Sequence, residues 1–447
     1  MKRRIFEEYK SKLRTADEAV QVVKSEDFVF YSHFAMFPQI LDEALARRVG
    51  EVRNVQVNNV YGLYPAQVAL CDPEHKSFNY TSYFFSPAER NLYKNGLCNY
   101  IPANYYEAPA IISRQHFPAP VIVFAKTTPM DENGRFNFGP AASFLHSCCQ
   151  RADKIVVEVN EGVPTCLGGF GESVHISKVD YIVETEKTAL ISLPKPEASE
   201  AEKKIAAYIM EDIHDGCCLQ LGIGGGVPNI IGSLIAESDL KDLGVHTEMM
   251  SDANMEMYLK GKVTGKYKYK DKTKMVYTLC LGSRDLYEFV DNNPACAIYQ
   301  VDQTNTPEYI ARNDNMISIN NALQVDLWGQ ICSESLRSKH ISGAGGQLDF
   351  VMGAKRSKGG KSFLCTKSTR MVGNRQASNV VPEVQGNVTV PRACTQYIVT
   401  EQGKINIQMK STWQIADGVI SLAHPEYRDD LIRAAEERGI WRRSNKK

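Results

Sequence analysis

The sequence lacks any run of about 18 consecutive apolar residues, the length a helical membrane span needs. It lacks a surplus of charge as well: Lys+Arg and Asp+Glu stand at 52 each, so no net field draws the chain to nucleic acid or to an anionic membrane. Its 12 cysteines include vicinal pairs at Cys148-Cys149 and Cys217-Cys218 but no Cys-x-x-Cys, and its nine histidines form no His-Glu-x-x-His. Zinc frameworks and dithiol redox motifs need those spacings, so no metal site is expected, and the cysteines read as small buried hydrophobes in a reducing compartment. The start, Met1-Lys-Arg-Arg-Ile-Phe-Glu-Glu-Tyr-Lys, has basic residues with no apolar stretch behind them, unlike a secretory leader, which makes a cytoplasmic protein the expectation. The partners left by these absences are small molecules.

What is present is length and pattern. A single hydrophobic core stops growing at about 250 to 300 residues, so 447 residues predict two domains. The polar, Pro-bearing stretch Leu193-Pro-Lys-Pro-Glu-Ala-Ser-Glu-Ala-Glu-Lys-Lys204 is the best linker, dividing the chain into 1–195 and 196–447. Pro120-Val-Ile-Val-Phe-Ala125 and Lys154-Ile-Val-Val-Glu-Val159 are uniformly rather than alternately apolar, as strands covered on both faces are. Thr15-Ala-Asp-Glu18 reads as a capping box opening a helix through Val20 and Val23, Pro38 to Arg48 as a second helix, and Ala201 to Asp212 as a third. Strands alternating with helices in both halves give an α/β class, two tandem open α/β domains with mainly parallel sheets.

Two glycine-rich loops stand out in the second half. Gly222-Ile-Gly-Gly-Gly-Val-Pro228 follows a buried run and precedes a helix, so the free amides of the helix start favour an anion. Ser342-Gly-Ala-Gly-Gly-Gln-Leu-Asp-Phe350 suggests close backbone approach to a substrate or an oxyanion site. A plain structural turn and a flexible surface loop are the alternative readings of the two. Between them lies Val245-His-Thr-Glu-Met-Met-Ser-Asp252, whose Glu248 the residue pattern alone does not single out.

These stretches, taken with Val156-Val-Glu-Val-Asn160, Ser173-Val-His-Ile-Ser-Lys-Val-Asp-Tyr-Ile-Val-Glu184, Leu219-Gln-Leu-Gly-Ile-Gly224, Leu286-Tyr-Glu-Phe-Val-Asp-Asn-Asn-Pro294, Asn313-Asp-Asn-Met-Ile-Ser-Ile-Asn320, Asp326-Leu-Trp-Gly-Gln-Ile-Cys332 and Ala423-His-Pro-Glu-Tyr-Arg428, resemble the acetyl-CoA hydrolase/transferase family. The match is to its butyryl-CoA:acetate and 4-hydroxybutyrate CoA-transferase branch. The resemblance implies two open α/β domains, homo-oligomers, and Glu248 of the His-Thr-Glu-Met motif as covalent carrier of coenzyme A between an acyl-CoA and a carboxylic acid. Coenzyme A is then substrate and product, and no cofactor beyond it is needed. On this reading Gly222, Ile223, Gly224, Gly225 and Gly226, with Gly343, Ala344, Gly345, Gly346 and Gln347, contact CoA and the oxyanion. Lys355, Arg356 and Lys358 are phosphate candidates on charge alone, a solvated basic run being the plainer reading.

The chain departs from the family pattern at Ala253-Asn254 and in Thr400-Glu-Gln-Gly-Lys-Ile-Asn-Ile407, where Gln402 and Lys404 replace aromatic or apolar residues. A dicarboxylic acceptor such as itaconate, its second carboxylate met by Lys404 or Arg392, is one expectation drawn from this. An acyl-CoA hydrolase on the same scaffold and a non-enzymatic CoA-binding protein are the alternatives.

Overall fold

Seven consecutive buried residues, Val121–Thr127, can be satisfied only by a strand with cover on both faces, and this strand lies inside a seven-stranded parallel sheet. The structure, a computed structural model, describes residues 2–194, 197–222, 226–337 and 339–442. It divides into two units. The first comprises Met1–Pro194 and Val276–Thr304, the second Lys195–Met275 and Asn305–Lys447. The expected second domain, 196–447, is therefore not one continuous stretch. Val276–Thr304 returns to the first unit, where Cys296–Tyr299 pairs in parallel with Gly168–Phe170.

The seven-stranded sheet of the first unit is made of β1 (Phe28–Tyr31), β2 (Val55–Asn59), β3 (Phe78–Ser82), β4 (Asn99–Tyr100), β5 (Val121–Thr127), β6 (Lys154–Val159) and β7 (Tyr181–Glu184). Their order is β7-β6-β5-β1-β2-β3-β4, with Phe28 of β1 level with Gln56 on one side and Val121 on the other. The chain thus runs outward from β1 to β4, then crosses back to β5 beside β1. Tyr31, Phe37, Phe78 and Phe124 fill the core on one face. The capping box forms as expected, Glu18 N–H donating to Thr15 Oγ1 at 3.3 Å and Thr15 N–H to Glu18 Oε2 at 2.9 Å, but it opens only Ala16–Ala19 and a 3-10 turn at Val20–Val22.

Helix α1 (Gln39–Ala46) follows Pro38, which offers no capping side chain. Glu158 of β6 takes that part, accepting from the Ile40 and Leu41 amides at 2.9 and 3.1 Å. The same carboxylate meets the Lys126 ammonium of β5 at 3.3 Å, both side chains buried. A buried pair of this kind is tolerated only when further hydrogen bonds complete it, and the helix start supplies them.

In the second unit β8 (Cys218–Leu221), β9 (Gly244–Val245), β10 (Met316–Asn321), β11 (Lys361–Cys365), β12 (Tyr397–Thr400) and β13 (Gly403–Asn406) form a sheet of order β9-β8-β10-β11-β12-β13. All neighbours are parallel except β12 and β13, an antiparallel hairpin at the edge. The helices that matter for the site are α2 (Glu200–Met210), α3 (Val227–Glu237), α4 (Asp252–Leu259) and α5 (Gln347–Arg356). The observed α2 begins one residue before the predicted span because Ser199 caps it, its Oγ accepting from Glu202 N–H. A core around Val325, Leu364, Ile398, Ile415 and Val419 lies behind β10 to β12.

Candidate active site

Strand β9 is only two residues long and lies at the sheet edge, with Val245 level with Leu219 of β8. The His246 amide donates to Leu219 O at 3.1 Å, after which the chain leaves the sheet. Thr247, fully buried, turns its hydroxyl onto Met249 O at 3.1 Å. Ser251 then opens α4 in a capping box with Asn254. Glu248 falls on the bend between these anchors, at the C-terminal end of a parallel strand, where open α/β sheets place their ligand sites.

The Glu248 carboxyl is held from outside its own strand. Asn305 Nδ2 donates to Oε2 at 2.7 Å, and the Gly346 amide donates to the same carboxylate. Gly346 is the capping residue just before α5, so a carboxylate bonded to its amide lies at the positive end of the helix dipole. Space there is closed to any side chain: a Cβ on Gly346 would come within 2.0 Å of Oε2 and 2.1 Å of Asn305 Nδ2. The glycine is required by this approach, not by its backbone, whose φ is −97°. Its neighbour Gly345, at φ +54°, does need the left-handed region.

Burial raises the Glu248 pKa from 4.5 to about 7, against the pull of the Asn305 and Gly346 bonds. A poorly solvated carboxylate with that pKa is a stronger base and nucleophile than an exposed one, yet a large fraction of it is ionised at neutral pH. Asn305 is itself fully buried and also reaches Asp349 Oδ2, in the first turn of α5, at 3.4 Å.

The other expected residues divide clearly. Gly343 is buried and Ala344 half-buried in the approach to Gly346, and Gln347 donates to Asn321 O at 2.8 Å while its buried Oε1 has no partner. At the first loop, the Gly222 amide is spent on Ile319 O at 2.8 Å, and a Cβ there would meet Asn320 Oδ1 at 2.5 Å. Ile223, Gly224 and Gly225 lie outside the described residues. The Gly226 amide at the start of α3 donates to Glu202 Oε1 at 3.0 Å. The anion at this helix start is thus the chain's own, which corrects the expectation of free amides at Gly222 and Gly226. Burial works against ionisation of Glu202, but the Ser199 hydroxyl and the Gly226 and Ser199 amides outweigh it and hold its carboxyl below the usual range. Beside Gly226 a cleft of about 300 Å³ runs along Asn229, Ile230, Ser233 and Leu234.

Lys404 is engaged by the chain's own groups. Its ammonium, on edge strand β13, is taken up by Asp212 Oδ2 at 2.5 Å, Glu211 Oε2 at 3.1 Å and Tyr208 O at 2.7 Å at the end of α2. Arg392 is exposed and lies over the Trp328 ring at 5.3 Å. Lys355 donates to Ala393 O and Arg356 pairs with Glu308, in the last turn of α5. At about 1.5 Å per residue that end of the helix is roughly 13 Å from Gly346. Of the two cations expected for a dicarboxylate, Lys404 is thus paired with the chain's own carboxylates, and Arg392 stacks on Trp328. Among the described residues no group of three or more His, Cys, Asp or Glu could hold a metal ion, and no helix is long and apolar enough to cross a membrane.

Sequence reading missed Asn305 and Asp349. Asn305 stands in Thr304-Asn-Thr-Pro307, where nothing local distinguishes it from a helix-initiating turn, and only its contact 57 positions away shows its part. Asp349 was in view as a loop residue and carried no signal of burial.

Comparison with known proteins follows the same outline. Residues 1–193 match the model of the acetyl-CoA hydrolase/transferase N-terminal domain and residues 282–435 that of the C-terminal domain. A butyryl-CoA:acetate CoA-transferase of Anaerostipes caccae is 46% identical, over 98% of this chain and 99% of its own. A probable butyrate:acetyl-CoA coenzyme A-transferase of Syntrophomonas wolfei is 43% identical over the whole of both. Acetyl-CoA hydrolases of Yarrowia lipolytica and Candida albicans match at 26% and 23%. Among solved structures, RipA from Yersinia pestis superposes with a TM-score of 0.89 at 33% identity, over 98% of this chain and 99% of that one.

Proposed function

The chain belongs to the acetyl-CoA hydrolase/transferase family and is an enzyme of its CoA-transferase branch, and on that premise we propose that it moves coenzyme A between short-chain carboxylic acids as a thioester on Glu248. The observation that carries the reading is the Glu248 carboxylate held at the start of α5 by Asn305 and Gly346.

The chemistry runs in two halves. A Glu248 oxygen attacks the acyl-CoA carbonyl, the tetrahedral oxyanion collapses, and CoA leaves as thiolate, giving a mixed anhydride. The thiolate then attacks the glutamyl carbonyl and expels the first acid as its carboxylate, leaving glutamyl-CoA. An incoming carboxylate repeats the steps in reverse and restores Glu248. Oε2, already held by Asn305, is placed to become the glutamyl carbonyl oxygen, so the donors that fix the ionised side chain also face the charge that develops on it. Their geometry is built before reaction, which is how such donors lower a barrier.

With Lys404 neutralised by Asp212 and Glu211, a short monocarboxylic acid fits this chain better than a dicarboxylate such as itaconate. All twelve cysteines are free, which supports a cytoplasmic location. A homo-oligomer is the assembly we expect, and light scattering on the purified protein checks it.

The test is to incubate the protein with butyryl-CoA and no acceptor, reduce with borohydride and map the peptides. Reduction at Glu248, lost in Glu248→Ala, is the expected result; modification elsewhere, or none, refutes the carrier. Free thiol released without any acceptor acid would instead favour hydrolysis, the second reading that the more distant relatives raise.

A further inference from the structure

Glu248 is one of two buried carboxyl groups that meet the same amide. The other is Asp349, in the first turn of α5 and 1% exposed. An acidic residue in a first turn ordinarily serves the helix dipole from the surface, where water solvates its charge. A buried one loses that solvation and needs hydrogen-bond partners in exchange. Its contact with Asn305 supplies one and reaches the reacting carboxyl in a single step: Asn305 Nδ2 is 3.4 Å from Asp349 Oδ2 and 2.7 Å from Glu248 Oε2.

Packing leaves Asn305 one freedom. It leads into the short helix Pro307–Ala311, whose Ile310 is set so closely against α5 that a Cβ on Gly353 would come within 2.5 Å of it. Phe350, the residue after Asp349, is buried with Ile310, Met316 and Ala354, so both segments are anchored in one core. Asn305 Nδ2 itself lies against the Gly346 main chain, where a Cβ would stand 2.1 Å from it. What packing does not choose is the face of the amide. Its oxygen and nitrogen are nearly equal in size, and a half-turn about the last side-chain torsion exchanges them. That half-turn would set a carbonyl oxygen against Glu248, acceptor facing acceptor.

Glu248 cannot enforce the choice throughout the reaction. As a carboxylate it draws the N–H toward itself, but as a mixed anhydride or a thioester it is an uncharged acyl group and accepts more weakly. An amide that turned in those states would be missing as a donor when the next tetrahedral oxyanion forms on Oε2. Asp349 undergoes no change of bonding in the cycle, and its oxygen faces the same Nδ2 at every stage. A carboxylate accepts and never donates, so only one orientation of Asn305 suits both neighbours.

We propose that Asp349 is a positioning residue for CoA transfer, holding the Asn305 carboxamide with Nδ2 toward Glu248 while the charge on Glu248 comes and goes. The inference rests on the CoA-transferase reading and deepens it by a residue that acts only through another.

The experiment measures kcat and KM for transfer from butyryl-CoA to acetate in wild type, Asp349→Leu, Asp349→Asn, Asn305→Ala and the double variants, with a thermal melt of each. Losing an oxyanion donor outright lowers kcat on the order of 100- to 1000-fold, so losing its orientation part of the time is expected to lower kcat by about tenfold in Asp349→Leu. The KM for butyryl-CoA stays put, because the interaction lost belongs to the transition state. In the Asn305→Ala background the same change lowers kcat by less than about twofold, since no amide is left to orient. Asp349→Asn, which can pair with either face of the amide, falls between wild type and Asp349→Leu. A merely structural Asp349 would lower the melting temperature and leave kcat of the folded protein alone. Wild-type kcat in folded Asp349→Leu overturns the proposal, as does an equal loss with and without Asn305. If Asp349→Leu does not fold, Asp349→Asn decides in the same cycle: a loss confined to proteins that keep Asn305 supports the role, and wild-type kcat or an equal loss overturns it. A wild-type protein that moves no CoA, or a Glu248→Ala protein that still does, strikes the parent reading instead, so the two failures are distinguishable.

Discussion

Replacing Gly346 by alanine adds one methyl group at the point where the structure has least room for it. The new Cβ would stand 2.0 Å from Glu248 Oε2, and a carbon of this kind is not found closer than 3.0 Å to its neighbours, so the carboxylate has to retreat by at least about 1 Å. Asn305 Nδ2, at 2.1 Å, is displaced at the same time. The backbone has no objection, because φ −97° suits alanine and a cap position exchanges Gly for another residue within roughly 1 kcal/mol. The loss is thus expected in chemistry and not in folding. Misplacing a reacting group by about 1 Å can lower a rate on the order of 100-fold. Steady-state transfer from butyryl-CoA to acetate should show kcat falling by about that factor, with a melting temperature within a few degrees of wild type. Retention of wild-type kcat in a folded Gly346→Ala protein would refute the view that the helix start fixes the nucleophile.

Asn305→Ala removes a bond that favours the ionised form of Glu248, so the acid limb of the kcat/KM profile, set by a group at about 7, should move to higher pH; a limb that stays in place or moves down contradicts the assignment. Glu248 binds its proton more tightly folded than unfolded, so it contributes stability that is present below pH 4.5 and lost as pH rises to about 7. Glu248→Gln should accordingly gain on wild type in melting temperature across that window and hold the gain above it. Lys126→Met leaves Glu158 buried without its cation and should lower unfolding stability by about 3–5 kcal/mol in urea titration, a large loss for a change remote in sequence from Glu248. Lys404→Ala should lower stability without altering the KM ratio of acetate to succinate, since its partners are Asp212 and Glu211; a changed ratio would return Lys404 to the substrate.

Much of the fold was legible because parallel strands advertise themselves. Val121–Thr127 and Lys154–Val159 are apolar without alternation, and Thr15 marks a helix start by a side chain that acts within three residues. The return of Val276–Thr304 to the first unit was not legible, since a chain that re-enters a unit carries no local mark of doing so. The same divide runs through the site. Glu248 and Gly346 lay in stretches that caught attention, one through a family motif and one through composition. Asn305 acts across 57 positions, a property that does not exist before the chain is folded. Lys404 is the converse case: its charge was visible in the sequence and the two carboxylates that pair with it were not.

The carboxylate seated on the first turn of α5 has a consequence for protein engineering. Strand β9 contributes two residues and little stiffness, so Glu248 transplanted with its own neighbours His246 to Ser251 would arrive without the parts that aim it. A scaffold meant to host this nucleophile must bring a helix capped by glycine and an amide side chain approaching from a third segment. Positions 248, 305 and 346 are in that sense one exchangeable cassette, divided among three distant places in the chain.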